Sequence, residues 1–187
     1  MSTIRSLTGP SLLTVLVTAG ASLLTLLVTT VGVSGQDLSD PQIAHVAVTA
    51  NAIVEAGTLA LEHAQDGEVR AFARTMIRDH TAVNEQAAAL ASRLGITPQD
   101  NDVSRSLRDD ADEARAKIDD LRGTSFDRSY IAREVAYHQA VLNALDGVLI
   151  PQARNAELKA LLQGVRPAIV AHLAHARRLA AELGSER

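Results

Sequence analysis

"YIAREVAYHQAVLNAL", residues 130–145, decides how the rest of the chain is read. With about 100° of rotation per residue, Ile131, Glu134, His138, Leu142 and Leu145 share one narrow arc of a helix. The period is helical and most members are apolar, which predicts an amphipathic helix with this arc in a core. A carboxylate and an imidazole interrupt the stripe. Burying both without partners would cost on the order of several kcal/mol, so facing helices must supply groups that satisfy them.

Working outward, the same period recurs on both sides. After Pro41, a stripe runs through Ile43, Val46, Ala50, Ile53, Gly57, Leu61 and Ala64, and the Asp66-Gly67 pair marks a turn. A second helix over about residues 68–94 places Val69, Phe72, Met76, His80, Ala87 and Leu90 inward, with Gly95 set to stop it. A third, more charged helix has Leu107, Ala111, Ala114, Ile118 and Leu121 on its inner face and ends at Gly123. Ser125 or Asp127 is then placed to cap the fourth, which runs to about Ile150 and is broken by Pro151. The last helix spans about Ala153–Leu183, with Leu158, Leu162, Ile169, Leu173, Ala176 and Ala180 inward. Pro167 lies inside that pattern and is expected to kink or divide it. Connections of a few residues between such segments specify an all-α bundle of four long helices, with the charged third helix in the crossover.

Composition agrees. Ala and Leu dominate while aromatics are 2%, a mixture that favours helices over strands. No Cys is present, which excludes disulfides, Cys-based metal sites and thiol catalysis. A net charge of −4, with no basic run interleaved with aromatics, argues against nucleic acid as a partner. No phosphate loop, nucleophile elbow or dinucleotide fingerprint occurs.

Residues 11–33, "SLLTVLVTAGASLLTLLVTTVGV", carry no charge; Arg5 precedes them and Asp37 and Asp40 follow. This is the pattern of a secretory signal or of an N-terminal anchor with its C-terminus outward. The run exceeds the roughly 7–15 residues of a signal core and reaches the roughly 20 that span a bilayer, and Val33-Ser34-Gly35 is an imperfect cleavage site. Both readings stand. The sequence thus divides into residues 1–36, a signal peptide or membrane anchor, and residues 40–184, the helical domain. The domain is expected outside the cytoplasm, in the periplasm or cell envelope, with the membrane as partner where the segment is retained.

The six histidines are not placed uniformly. His80 lies about 40° from Met76, His138 is central to its stripe, and His172 is about 60° from Ile169 on the shoulder of its helix. His175 turns further toward solvent, and His45 and His63 fall off the first apolar face. Glu134, His138, His80 and His172 are therefore expected in one polar layer, supplemented by Asp79 from the flank of the second helix. Neutral imidazoles and a carboxylate from facing helices can hold a transition metal such as iron, manganese or zinc. The same groups can also form a hydrogen-bonded network that fixes helix register. The pattern differs from a carboxylate-rich di-iron site, which needs Glu-x-x-His on two helices; here Glu134 and His138 are four apart, and Glu55 points away from its stripe.

"EAGTLALEHA" (55–64), "VRAFARTMIRDHTAVNE" (69–85), "FDRSYIAREVAYHQAVL" (126–142) and "LKALLQGVRPAIVAHLAHARRL" (158–179) occur in an order and spacing that resemble the bacterial domain-of-unknown-function family DUF4142. The resemblance covers about Asp40 to Leu183. It implies a ferritin-like four-helix bundle, export and the label of predicted outer membrane protein, and brings no established activity. The family's recurring DH falls on Asp79 and His80, its YxxxxxxxH on Tyr130 and His138, and its PxxxxH on Pro167 and His172. Many members have Glu four residues before the glycine of the first helix; Ile53 stands there in this chain. Glu134 stands where the family usually has an apolar residue.

Three functions follow in order of support from the sequence. The first is a non-enzymatic, exported or membrane-tethered helical module of the envelope. The second is a transition-metal-binding protein using the inward histidines of the bundle core. The third is an acid–base enzyme built on His138 and Glu134, the weakest because no oxyanion donor, nucleophile or substrate pocket is evident.

Overall fold

The computed structural model describes residues 37–48 and 51–185, all of whose regular structure is helical. The 11–33 segment and Ala50 lie outside the described residues. The elements are α1 (Asp40–Val48), α2 (Ala52–His63), α3 (Gly67–Arg93), α4 (Asp102–Ala116), α5 (Gly123–Ala144), a π-helical turn (Leu145–Leu149), α6 (Ile150–Gln152) and α7 (Ala156–Ser185).

Helix ends follow local chemistry. The Asp66 carboxylate accepts from the Glu68 and Val69 amides at the start of α3. At its end Gly95 adopts φ +66°, the Gly95 amide bonds to Ser92 C=O and the Ile96 amide to Ala91 C=O, a Schellman stop where the sequence places it. Asn101 and Ser104 form a capping box on α4.

Other boundaries depart from expectation. α4 ends at Ala116, with Ile118 buried in the turn that follows, and Gly123 (φ +60°) opens α5 instead of closing α4. Asp127 does not cap α5: its carboxylate accepts from the Gln65 and Asp66 amides at 3.1 and 3.0 Å, clamping the α2–α3 turn onto α5. Pro151 does not stop the fourth helix at once. The Ile150 amide reaches five residues back to Leu145, and the widened turn carries the helix on to Gln152. Pro167 does not divide α7. Its missing donor would have served the exposed Gln163, whose carbonyl water can satisfy.

Two buried clusters form the core. The first joins Phe72 and Met76 of α3, Tyr130 and Ile131 of α5, and Ala176 and Leu183 of α7 to Ile53 and Ala60 of α2. The second joins Leu90 of α3, Leu142 and Leu149 from the fourth long helix, and Leu162 and Ile169 of α7 to Ile43 of α1. The N-terminal halves of α3 and α5 thus share one cluster with the C-terminal half of α7, and the opposite halves share the other. α3 and α5 run parallel, and α7 runs against both. Parallel neighbours cannot be joined by a tight turn, which is why α4 and its flanking loops intervene. Truncating a fully buried anchor such as Phe72 to Ala is worth about 3–5 kcal/mol. Gly57 sets the closest approach of α2 to α3, since a Cβ there would lie 2.8 Å from Ile77 Cγ1 and 3.2 Å from the Ala73 carbonyl oxygen. On α2, Ala56, Leu59 and Ala60 are buried and Leu61 is exposed; on α7, Leu179 faces inward in place of the exposed Ala180. The rest of each expected stripe is buried, with Ile53 and Gly57 inward on α2, Ala64 at its C-cap, and Leu158, Leu162, Ile169, Leu173 and Ala176 inward on α7, so the departures are local.

Candidate metal centre

His80 of α3, His138 of α5 and His172 of α7 lie where the two clusters meet. Each is flanked along its helix by members of both clusters, so the layer sits at mid-bundle. Ring centroids are 5.5 Å apart for His80–His138 and for His80–His172, and 5.6 Å for His138–His172. All three residues are buried, and each offers a ring nitrogen such that the three nitrogens lie within 4.8 Å of one another. Three helices meeting at a single register produce this arrangement, and the sequence period alone puts each imidazole on the inner face.

Hydrogen bonds set the tautomers. His138 Nδ1 donates to the backbone carbonyl of Glu134 at 2.8 Å, which leaves Nε2 with its lone pair and no partner among the described residues. His172 Nε2 donates to Asp79 Oδ2 at 3.0 Å, which leaves Nδ1 free. His80 Nε2 also has no protein partner among the described residues. Three buried, unpartnered ring nitrogens in one place is an uncommon state for a native core, where nearly all buried polar atoms are satisfied. Three imidazoles that each bring one nitrogen to within 4.8 Å of the others are a donor set that suits zinc, copper, iron or nickel.

The electrostatics favour lone pairs over protons. Burial pushes His80 down to about 3, helped by repulsion from His138 and His172 and opposed by Asp79. Burial likewise takes His138 down to about 4, against the pull of the Glu134 carbonyl and with further depression from His172 and Arg133. Both rings are therefore neutral at pH 7. Glu134, fully buried, is pushed up to about 7 by desolvation, against the attraction and hydrogen bond of Arg133. Arg133 Nη1 lies 2.5 Å from Glu134 Oε1, and Nη2 donates to the Ala52 carbonyl at 3.2 Å. Burial works to raise Asp79, yet hydrogen bonds from Arg78 and His172 hold it below the usual carboxylate range.

The model for the Domain of unknown function DUF4142 matches residues 30–179. The chain belongs to the DUF4142 family. No curated protein matches it. A DUF305 protein of Streptomyces coelicolor, described as secreted, has a solved structure similar to this DUF4142 chain with a TM-score of 0.65 at 15% identity, over 77% of this chain and 92% of that one. At that identity the likeness bears on the helical fold alone.

Of the residues singled out in this DUF4142 sequence, the structure brings His80, His138 and His172 together. Asp79 and Glu134 stand behind them. Asp79 orients His172, and Glu134 Oε2 lies 3.5 Å from His138 Nδ1 without a hydrogen bond. The three-nitrogen group is made by the histidines alone. Tyr130 packs against Phe72 and Phe126 and lies in the first apolar cluster, its hydroxyl buried. Ile53 is fully buried, so this position of α2 faces the core. Outside the layer, Glu55 is exposed and pairs with Arg115 at 3.5 Å, and His63 lies 2.8 Å from Arg122 Nη1. Arg133, which pairs with Glu134 behind the histidines, is the member of the site that the sequence did not single out. Neighbours at i and i+1 point to different sides of a helix, so nothing in the period announced a buried pair with Glu134. The signal available was Glu134 itself, a buried carboxylate that needs a cation.

Proposed function

We propose that this chain is an exported ferritin-like four-helix bundle that binds one transition-metal ion through His80, His138 and His172. Residues 1–36 deliver it as a cleaved signal or hold it at the membrane as an anchor, and residues 40–184 are the working domain. The ferritin-like reading rests on the parallel α3 and α5 with the α4 crossover between them. Export rests on the uncharged 11–33 run after Arg5, and the secreted description of the DUF305 relative agrees with it.

The single observation that carries the metal reading is the set of three unpartnered ring nitrogens from three different helices. Asp79 behind His172 and the Glu134 carbonyl behind His138 supply the outer hydrogen bonds that fix metal-ligating imidazoles. Three protein ligands leave room for an exogenous one, the arrangement of a catalytic or carrier site more than of a closed structural one. The test is elemental analysis of the purified chain with zinc titration after chelation. One equivalent bound in wild type, and loss of binding in His138→Ala, is the expected result. Absence of stoichiometric metal together with no thermal shift on adding zinc, copper, iron or nickel sinks it.

A second reading is a metal-free polar layer that fixes helix register in a non-enzymatic envelope module. The buried Arg133–Glu134 pair favours it, since that pair lies beside the ring nitrogens and contributes no ligand. The same titration separates the two.

A further inference from the structure

Directly beside the histidine layer, on the side of the second cluster, lies a cavity of about 430 Å³. Val83, Val141 and Ile169 are in its wall, each three residues along its helix from His80, His138 and His172 respectively. The cavity therefore begins one helical turn from all three histidines, and His80 is itself in the wall. Its inner surface is otherwise dominated by aliphatic side chains of α5, the π turn and α7. The crossover helix α4 contributes Leu107 to the wall.

Size and chemistry limit the occupant. An apolar cavity of about 150 Å³ is enough to hold one benzene ring, so this one has room for a molecule about three times as large. Ligand sites are commonly apolar clefts of about 300–1,000 Å³. The charged residues of the wall stand at its exposed edge. Glu55 is paired with Arg115, and Arg108 lies 3.6 Å from Asp100. Among the other polar wall residues, Asn51 accepts from Asn84, and the Ser104 hydroxyl bonds to Asp100. Asp112, the remaining charged wall residue, is exposed, and among the described residues the unpartnered buried polar group in the wall is the His80 imidazole.

We propose that this cavity is a binding site for an uncharged, largely apolar small molecule that packs against the His80 ring. The inference goes beyond the metal reading and holds with or without a cation in the histidine layer. When metal is bound, His80 makes the ion and the occupant neighbours.

The test titrates n-butylbenzene and its anionic analogue 4-butylbenzoate into the purified full chain, with chelator present, by calorimetry. Butylbenzene is expected to bind with one-to-one stoichiometry and at least tenfold more tightly than the benzoate. Val141→Trp, which fills the cavity, should abolish binding while leaving zinc stoichiometry at the histidines intact. Should that variant fail to fold, intermolecular NOEs from butylbenzene to the methyl groups of Val83, Val141 and Ile169 in wild type give the location without any substitution. No binding of butylbenzene, benzoate binding as tightly or more so, or NOEs confined to other residues would overturn the proposal. Zinc binding without butylbenzene binding fails the cavity alone; the reverse fails the metal reading alone.

Discussion

His138 Nδ1 donates to the carbonyl of Glu134, one turn earlier on the same helix, at 2.8 Å. A helical carbonyl is normally committed to the amide four residues on; here it also anchors the ring of that same residue. The bond fixes the ring's orientation and leaves Nε2 as the free nitrogen, in the same layer as His80 and His172. The tautomer is thus set by the backbone, with no dependence on another side chain.

His172 is held differently, and the difference is testable. Its Nε2–H is held by the partly exposed Asp79 carboxylate. Asp79→Asn removes the charge and weakens the orienting bond without touching a ligand. Zinc affinity should fall about 10–100-fold, the usual effect of losing a histidine's outer partner, while stoichiometry stays at one. Calorimetric titration reads both; unchanged affinity would mean that Asp79 serves only the surface.

Stability of the metal-free protein should fall on acidification, and the sign follows from the shifts. His80 and His138 have folded values of about 3 and 4, below the usual 6.5, so the unfolded chain binds more protons between these limits. Their contribution is full above about 6.5 and is lost as pH drops toward 4 and then 3. Glu134 opposes this, because its folded value of about 7 exceeds 4.5 and makes the folded chain the stronger proton binder between those values. Two histidines outweigh one glutamate, so the net slope from pH 6.5 to 4.5 is a loss of stability toward acid. Thermal melts across that range should show a falling Tm, with the fall reduced in His80→Leu. A flat profile would place the histidines in water.

Much of this site was legible in the sequence because it depends on angle alone. The positions of His80, His138 and His172 about their helix axes follow from 100° per residue, and the structure gathers all three. What angle cannot give is height along the bundle or the reach of a long side chain. Arg133 escaped notice for the second reason, since its guanidinium folds back to Glu134 from a neighbouring direction. Asp127 was misassigned as a helix cap because a short polar residue near a helix start satisfies that rule, whereas the amides it serves are more than 60 residues away in sequence. Gly123 was read as a stop because glycine with positive φ is favoured there, yet the same conformation also redirects the chain into a new helix.

Asp127 itself supports a separate prediction. It is almost fully buried and accepts from two amides of the α2–α3 turn. Asp127→Ala strands the Gln65 and Asp66 donors, and a lost acceptor at a part-buried amide costs about 1–3 kcal/mol. The unfolding free energy from chemical denaturation should fall by that amount, lowering the midpoint, with zinc binding unaltered because the clamp lies beside Ala64 and Phe126 of the first core cluster, away from the histidine layer. Hydrogen exchange at the Gln65 and Asp66 amides should rise selectively; protection that persists in the variant would show that another group serves them.

The final prediction concerns the coupling of His80 to His138, whose rings are 5.5 Å apart in a T-shaped arrangement. Each ring carries a buried nitrogen without a protein partner, so each desolvation cost is partly offset only when something is shared between them, a cation or a water. Replacing one ring by Leu removes its own cost but strands what remains, and a stranded buried group is worth about 1–3 kcal/mol. Replacing both removes both costs. In chelator, the double variant should therefore lose less stability than the two singles summed, with a coupling of about 0.5–3 kcal/mol expected for residues in contact. Added zinc sharpens the contrast. It should stabilise wild type by mass action and leave both singles and the double nearly unmoved, so the apparent coupling grows with zinc concentration. Coupling in chelator that does not change with zinc supports the register-fixing network and removes the metal. Strict additivity under both conditions removes both, because it places the two histidines in separate environments despite their closeness.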